Sequence, residues 1–137
     1  MFNVGEIKLK KITDGRGSLT PVEGGRDIPF DIRRVYYLTD VDSGIERGKH
    51  CHKNLHQVLI CVSGSLKVKA DNTVQQEIFE LNDSCNGLYI GPLVWREMYD
   101  FSENAVLLVF ASEVYDESDY IRDYAEFEKK ARMFFGN

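Results

Sequence analysis

Only the C-terminal stretch of this chain repeats its apolar residues at helical spacing. Ile121, Tyr124, Phe127 and Ala131 lie three or four positions apart, with acids at Asp116 to Asp119 ahead of them and Gly136 behind. Upstream, apolar residues come in short alternating or continuous runs. Strands are expected at 2–10, 32–38, 46–52, 58–62, 66–70, 74–81, 88–90, 94–99 and 106–111, of which 46–52 is polar. Turn compositions such as Asp14-Gly15-Arg16-Gly17, Ser63-Gly64-Ser65 and Gly91-Pro92 separate them. So many short, regularly punctuated strands predict an all-β fold closed into a barrel or jelly roll. The barrel is expected over about residues 1–113, with one helix over about 117–134 packed outside it. No repeat or linker interrupts the 137 residues, so one domain is expected.

Charge and cysteine usage narrow the function classes. A net charge of −5 and a pI near 5.2 argue against nucleic-acid or membrane-surface binding, which needs a basic field. Cys51, Cys61 and Cys85 make an odd count without metal-finger spacing. The sequence has no signal-peptide pattern and no apolar run near the roughly 18 residues of a membrane span. These features predict a reduced, cytoplasmic chain with no membrane and no nucleic-acid partner.

Two of the three histidines, His50 and His52, stand one residue apart within Gly44-x5-His50-x-His52-x4-Gln57-x6-Gly64. Side chains at i and i+2 of a strand share a face, so both imidazoles are expected to project together into the barrel mouth. Cys51, Lys49 and Lys53 then point the other way. Tyr36 and Tyr37 are adjacent on a predicted strand and must face opposite sides. His56, alone near a turn, reads as structural or exposed.

The glycine-to-glycine spacing resembles the first motif of the cupin superfamily. A second motif is present in degraded form as Gly87-x4-Pro92-Leu93-Val94-Trp95-Arg96. The string Arg47-Gly48-Lys49-His50-Cys51-His52-Lys53 resembles the signature of WxcM-like sugar nucleotide 3,4-ketoisomerases. The likeness continues through Asp14-Gly15-Arg16-Gly17 and the segment from Ile28 to Tyr37. It extends over Val94-Trp95-Arg96-Glu97-Met98 and closes with the segment from Tyr115 to Arg122. It covers nearly the whole chain in order. Cys51 stands where the family usually has alanine, and Arg96 where members often carry histidine.

The resemblance implies a cupin-type double-stranded β-helix that interconverts dTDP-4-keto-6-deoxyglucose and its 3-keto isomer through an enediol or enediolate, in deoxy-amino-sugar biosynthesis. It implies no metal and no other cofactor. Gln57 replaces the usual glutamate ligand, the motif-two histidine is missing, and two imidazoles fall short of a catalytic zinc site. His52 is expected to take the C3 proton, with His50 and Tyr37 moving or stabilising protons at the oxygens. The order of the two histidines is open. Neutral imidazole, with a pKa near 6.5, suits such work.

For the nucleotide, the family-like segments supply Arg16, Arg47 and Arg34, whose forks match phosphate oxygens; surface solvation is the competing reading. Gln57 would bond a sugar hydroxyl or hold a histidine tautomer. Trp95 would wall the pocket or line the sugar or thymine site, and Asp14 and Glu97 are supporting partners. Members of the family pair as homodimers with strand exchange near the N-terminus, and the apolar runs 58–62 and 106–111 exceed what one barrel interior needs. The alternatives are a dTDP-sugar 3,5-epimerase, a non-catalytic sugar-nucleotide-binding cupin, and a metal-dependent dioxygenase. Gln57 and Arg96 disfavour the last.

Overall fold

A computed structural model describes residues 1–136. Twelve strands, one 3₁₀ turn and one α-helix follow in order. The first sheet has the order β1-β9-β6-β11-β4, built from β1 (Val4–Lys8), β9 (Asn86–Ile90), β6 (Gln57–Ser63), β11 (Val106–Ala111) and β4 (Arg34–Leu38). The second has the order β12-β5-β10-β7-β8, built from β12 (Tyr120–Ile121), β5 (Arg47–His52), β10 (Trp95–Tyr99), β7 (Leu66–Asp71) and β8 (Gln76–Leu81). All pairings within them are antiparallel. A separate hairpin, β2 (Ile12–Asp14) with β3 (Gly17–Leu19), carries Arg16 in its turn. The architecture is the all-β jelly roll of the cupin type, with a single helix at the C-terminus.

The core lies between the sheets. Leu59, Cys61, Leu88, Ile90, Leu107 and Val109 of the first meet Leu66, Val68, Ala70 and Met98 of the second. Strand alternation gives β6 a second buried face, where Val58 and Ile60 pack against Leu9 and Ile28. The continuous apolar run at 58–62 is therefore a strand buried on both sides except at Val62, which is exposed. Each fully buried side chain of this kind contributes roughly 1.5–3 kcal/mol. Gly64, with φ of +73°, turns β6 into β7. A Cβ there would strike Ser102 and Ala105, which explains a glycine at this end of the motif.

The C-terminal segment differs from its expected form. The helix α1 spans Tyr124–Phe135 and does not begin near residue 117. Asp116 caps a 3₁₀ turn over Glu117–Asp119, and Asp123 caps α1 by accepting from Ala125 N at 3.3 Å. Between them Tyr120 and Ile121 pair with His52 and Cys51. That pairing holds the backbone extended and postpones the helix. Ile121 is still buried, with Phe127 and Ala131, against Cys51 and Trp95.

Candidate active site

Strand β5 sets the site. Its alternation turns His50 and His52 into the barrel and Cys51 onto α1, as parity requires. The two imidazoles lie edge to face, with centroids 4.8 Å apart, and Tyr120 sits 4.9 and 4.4 Å from them. Upstream, β5 carries a bulge. His50 pairs with Arg96, yet Gly48 pairs with Glu97, and Gly48 has φ of +84°. A Cβ on Gly48 would meet the Arg96 carbonyl oxygen at 3.0 Å. The glycine lets β5 close on β10 while the bulge re-aims the strand.

His52 is 1% exposed. Its Nδ1 lies 3.1 Å from Asp119 Oδ2, and the other carboxylate oxygen accepts from Asn54 N at 2.8 Å. Its Nε2 is buried and, among the described residues, has no hydrogen-bond partner. Arg96, 2% exposed, donates from one guanidinium nitrogen to Gln57 Oε1 at 2.5 Å and from two others to the Val94 carbonyl. Gln57 passes the chain on, donating from Nε2 to the Tyr36 hydroxyl at 2.9 Å.

Among the described residues no carboxylate forms an ion pair with Arg96. Burial first, and this cation second, push His50 down to about 3 and move His52 in the same direction. Both rings are neutral at neutral pH. Burial raises the Tyr36 hydroxyl, with Arg96 opposing.

A cavity of about 320 Å³ opens beside His52, lined also by Arg34, Asn54, Asp116, Asp119 and Tyr120. Arg34 lies 5.2 Å over the Tyr36 ring and 5.7 Å from that of Tyr115. Arg122 sits 4.3 Å over Tyr120 and is paired to Glu117 at 2.9 Å. The cavity thus brings His52 together with a cation, Arg34, and an aromatic ring, Tyr120.

The structure gathers His50, His52, Gln57 and Arg34 but sends other expected site residues elsewhere. Tyr37 faces outward and is 67% exposed. A strand that turns Arg34 inward also turns Tyr36 inward, so the tyrosine beside Gln57 is Tyr36. Trp95 lies on the opposite face of β10 from Arg96. It packs under α1 against Phe127 and donates from its indole to Glu97 at 3.0 Å. Arg16 has a side chain 91% exposed and bonds Asp14 at 2.8 Å in the hairpin turn, outside this cavity. Arg47 is exposed at the start of β5. His56 bonds the Tyr89 hydroxyl at 2.6 Å and serves packing.

Residues that sequence reasoning passed over are Asp119, Tyr120 and Asn54. Asp119 looked like a first-turn helix acid. The signal for another role was its place inside the family-like segment from Tyr115 to Arg122.

Residues 3–132 match the family model described as FdtA, WxcM-like, C-terminal. The chain is 51% identical over 124 residues to a TDP-4-oxo-6-deoxy-alpha-D-glucose-3,4-oxoisomerase of Aneurinibacillus thermoaerophilus, covering 90% of this chain and 88% of that one. Among solved structures, the QdtA 3,4-ketoisomerase of Thermoanaerobacterium thermosaccharolyticum, in complex with TDP, is similar at a TM-score of 0.96 and 58% identity. That match covers 98% of each chain. The WlaRB TDP-quinovose 3,4-ketoisomerase of Campylobacter jejuni is similar at 0.91 and 46% identity, covering 94% of this chain and 99% of that one. A cupin barrel matched by the family model over residues 3–132, and by relatives 46–58% identical over nine-tenths or more of the chain, makes this chain a member of the WxcM-like FdtA family of sugar nucleotide isomerases.

Proposed function

We propose that the chain interconverts TDP-4-keto-6-deoxyglucose and its 3-keto isomer by acid–base catalysis at His52 and His50. The observation that carries the reading is a neutral, buried His52 whose Nε2 is bare, set beside a second imidazole and a buried guanidinium. A relative 58% identical, in a variant form, binds TDP-4-keto-6-deoxyglucose itself.

In this mechanism the C4 carbonyl acidifies the C3–H. His52 takes that proton, and the electron pair moves onto the C4 oxygen as an enediolate. The C4 oxygen gains a proton, the C3 hydroxyl loses one, and a proton returns to C4. The products are a C3 ketone and a C4 alcohol, with no net change in protons. His50 and Tyr36 hold and move the oxygen-bound protons, and Tyr36 is tied through Gln57 to Arg96.

Arg96 supplies a fixed positive charge for the enediolate in a water-poor site, where such charge is most effective. Burial first, and this cation second, make His52 a weak base until negative charge arrives on the substrate. Substrate binding therefore tunes the base as well as orienting the ketone. Two imidazoles, an amide and a guanidinium are a donor set that does not fit a divalent cation. Arg34, at the cavity mouth, meets the diphosphate, and Tyr115 and Tyr120 offer faces to the thymine.

We also infer a homodimer. The outer face of the first sheet exposes Val35, Tyr37 and Val62, and the two-stranded hairpin exposes Ile12 and Leu19. A hairpin of two strands is marginal alone, and a contiguous apolar face calls for a cover. A second copy meets both needs and brings Arg16 and Tyr37 to the boundary between subunits. All three cysteines are unpaired, in keeping with a reducing, cytoplasmic setting.

Incubation with TDP-4-keto-6-deoxyglucose in deuterium oxide, followed by NMR, tests the reaction. The expected result is movement of the carbonyl to C3 with deuterium at C4. Label at C3 and C5 without carbonyl movement would assign epimerisation instead. An unchanged sugar would mean a binding module.

A further inference from the structure

We infer that Asp119 is a positioning residue that locks His52 as the Nδ1–H tautomer and thereby makes Nε2 the proton acceptor. The inference rests on the reading of His52 as a proton-transfer group and settles which of its nitrogens acts. A neutral imidazole carries one N–H, and its place is set by the partner of the other nitrogen. A carboxylate only accepts. With Asp119 Oδ2 at 3.1 Å from Nδ1, the proton belongs on Nδ1 and the lone pair on Nε2.

Asp119 is itself held on three sides. Its Oδ1 accepts from Asn54 N at 2.8 Å, its carbonyl accepts from Lys53 N at 2.9 Å, and the next residue, Tyr120, pairs with His52 in the β12–β5 ladder. A loop tied back this way presents one oxygen to one ring nitrogen. The Tyr120 ring, 4.4 Å from the imidazole, fixes the ring plane. The bare Nε2 is then the atom left for substrate.

His50 has no carboxylate bonded to its ring among the described residues. The two imidazoles are chemically distinct although they share a strand face. Of the two rings, His52 alone bonds a carboxylate among the described residues, and that carboxylate stabilises the imidazolium once the C3 proton arrives. His50 therefore works at the oxygens.

The test has two parts. In ligand-free protein labelled with nitrogen-15 at histidine, NMR should give His52 as protonated at Nδ1 and unprotonated at Nε2. A proton on Nε2 would overturn the assignment. Asp119→Asn keeps an oxygen for Asn54 N but places an amide donor within reach of Nδ1. Isomerase turnover should then fall by about 10²–10⁴-fold, with TDP affinity and KM little changed and the His52 tautomer shifted or mixed. Turnover within threefold of the parent, or a tautomer that does not move, would overturn it. Should the parent protein fail to isomerise the sugar at all, the proposed reaction falls. The tautomer measurement would still decide the role of Asp119.

Discussion

Arg96 and Gln57 face each other across 2.5 Å at the floor of the barrel, guanidinium to amide oxygen, and the cation so held has no carboxylate in an ion pair with it among the described residues. Burying an unneutralised charge is costly, and here the charge sits on β10 at the position paired with His50. The arrangement keeps His50 and His52 neutral and waits for an anion.

Arg96→Met should separate stability from function. An apolar side chain of similar length removes the desolvated charge, so thermal unfolding should shift upward or stay within about 1 kcal/mol of the parent. Turnover should fall by about 10²–10³-fold, as for loss of a single oxyanion donor. Calorimetry alongside isomerase kinetics checks both. A protein that unfolds readily and keeps its turnover would contradict the role given to this cation.

Acid should destabilise the fold in a defined window. His50 and His52 bind protons more weakly folded than unfolded, with His50 down at about 3 against an ordinary value near 6.5. Between those limits the unfolded chain holds more protons than the native one. Stability therefore rises with pH there and is lost as pH falls. From pH 7 to pH 5 the loss should be about 2 kcal/mol per histidine. Urea unfolding at the two pH values measures it, and the double variant with asparagine at both positions should flatten the slope.

His52→Asn should reduce turnover by about 10²–10⁴-fold, the usual range for a positioned acid or base. His50→Asn should lower it too, while still permitting exchange of the C3 hydrogen with deuterium oxide if His52 is the base. Single-turnover NMR distinguishes the two. Exchange lost in His50→Asn and kept in His52→Asn would reverse their order.

Tyr36→Phe removes the acceptor for Gln57 Nε2 and leaves a buried amide donor unpaired. The expected cost is about 1–3 kcal/mol of stability, with a fall in turnover. Chemical denaturation and kinetics on the same sample report it.

Tyr37→Asp should leave the monomer fold intact, because the side chain lies on the outer sheet face. It should halve the mass in light scattering at micromolar concentration by placing a charge in the apolar contact. A parent protein that is already a monomer there would sink the dimer.

Much of this protein was written locally in its sequence. Period-two runs set the strands, the late period near 3.6 set α1, and spacing alone put His50 and His52 on one face with Cys51 opposite. Those features depend only on which residues neighbour one another along an extended or coiled backbone. Parity could say that Tyr36 and Tyr37 part company, but not which one turns inward, since that depends on β4 pairing with β11. Trp95 went beneath α1, away from the pocket, because Arg96 took the inward position of β10. Asp119 stands 67 positions from His52 and reaches it only through the β12–β5 pairing. A hydrogen bond between distant segments has no period to betray it. The tautomer of the base, and the charge beneath it, were therefore decided by strand register.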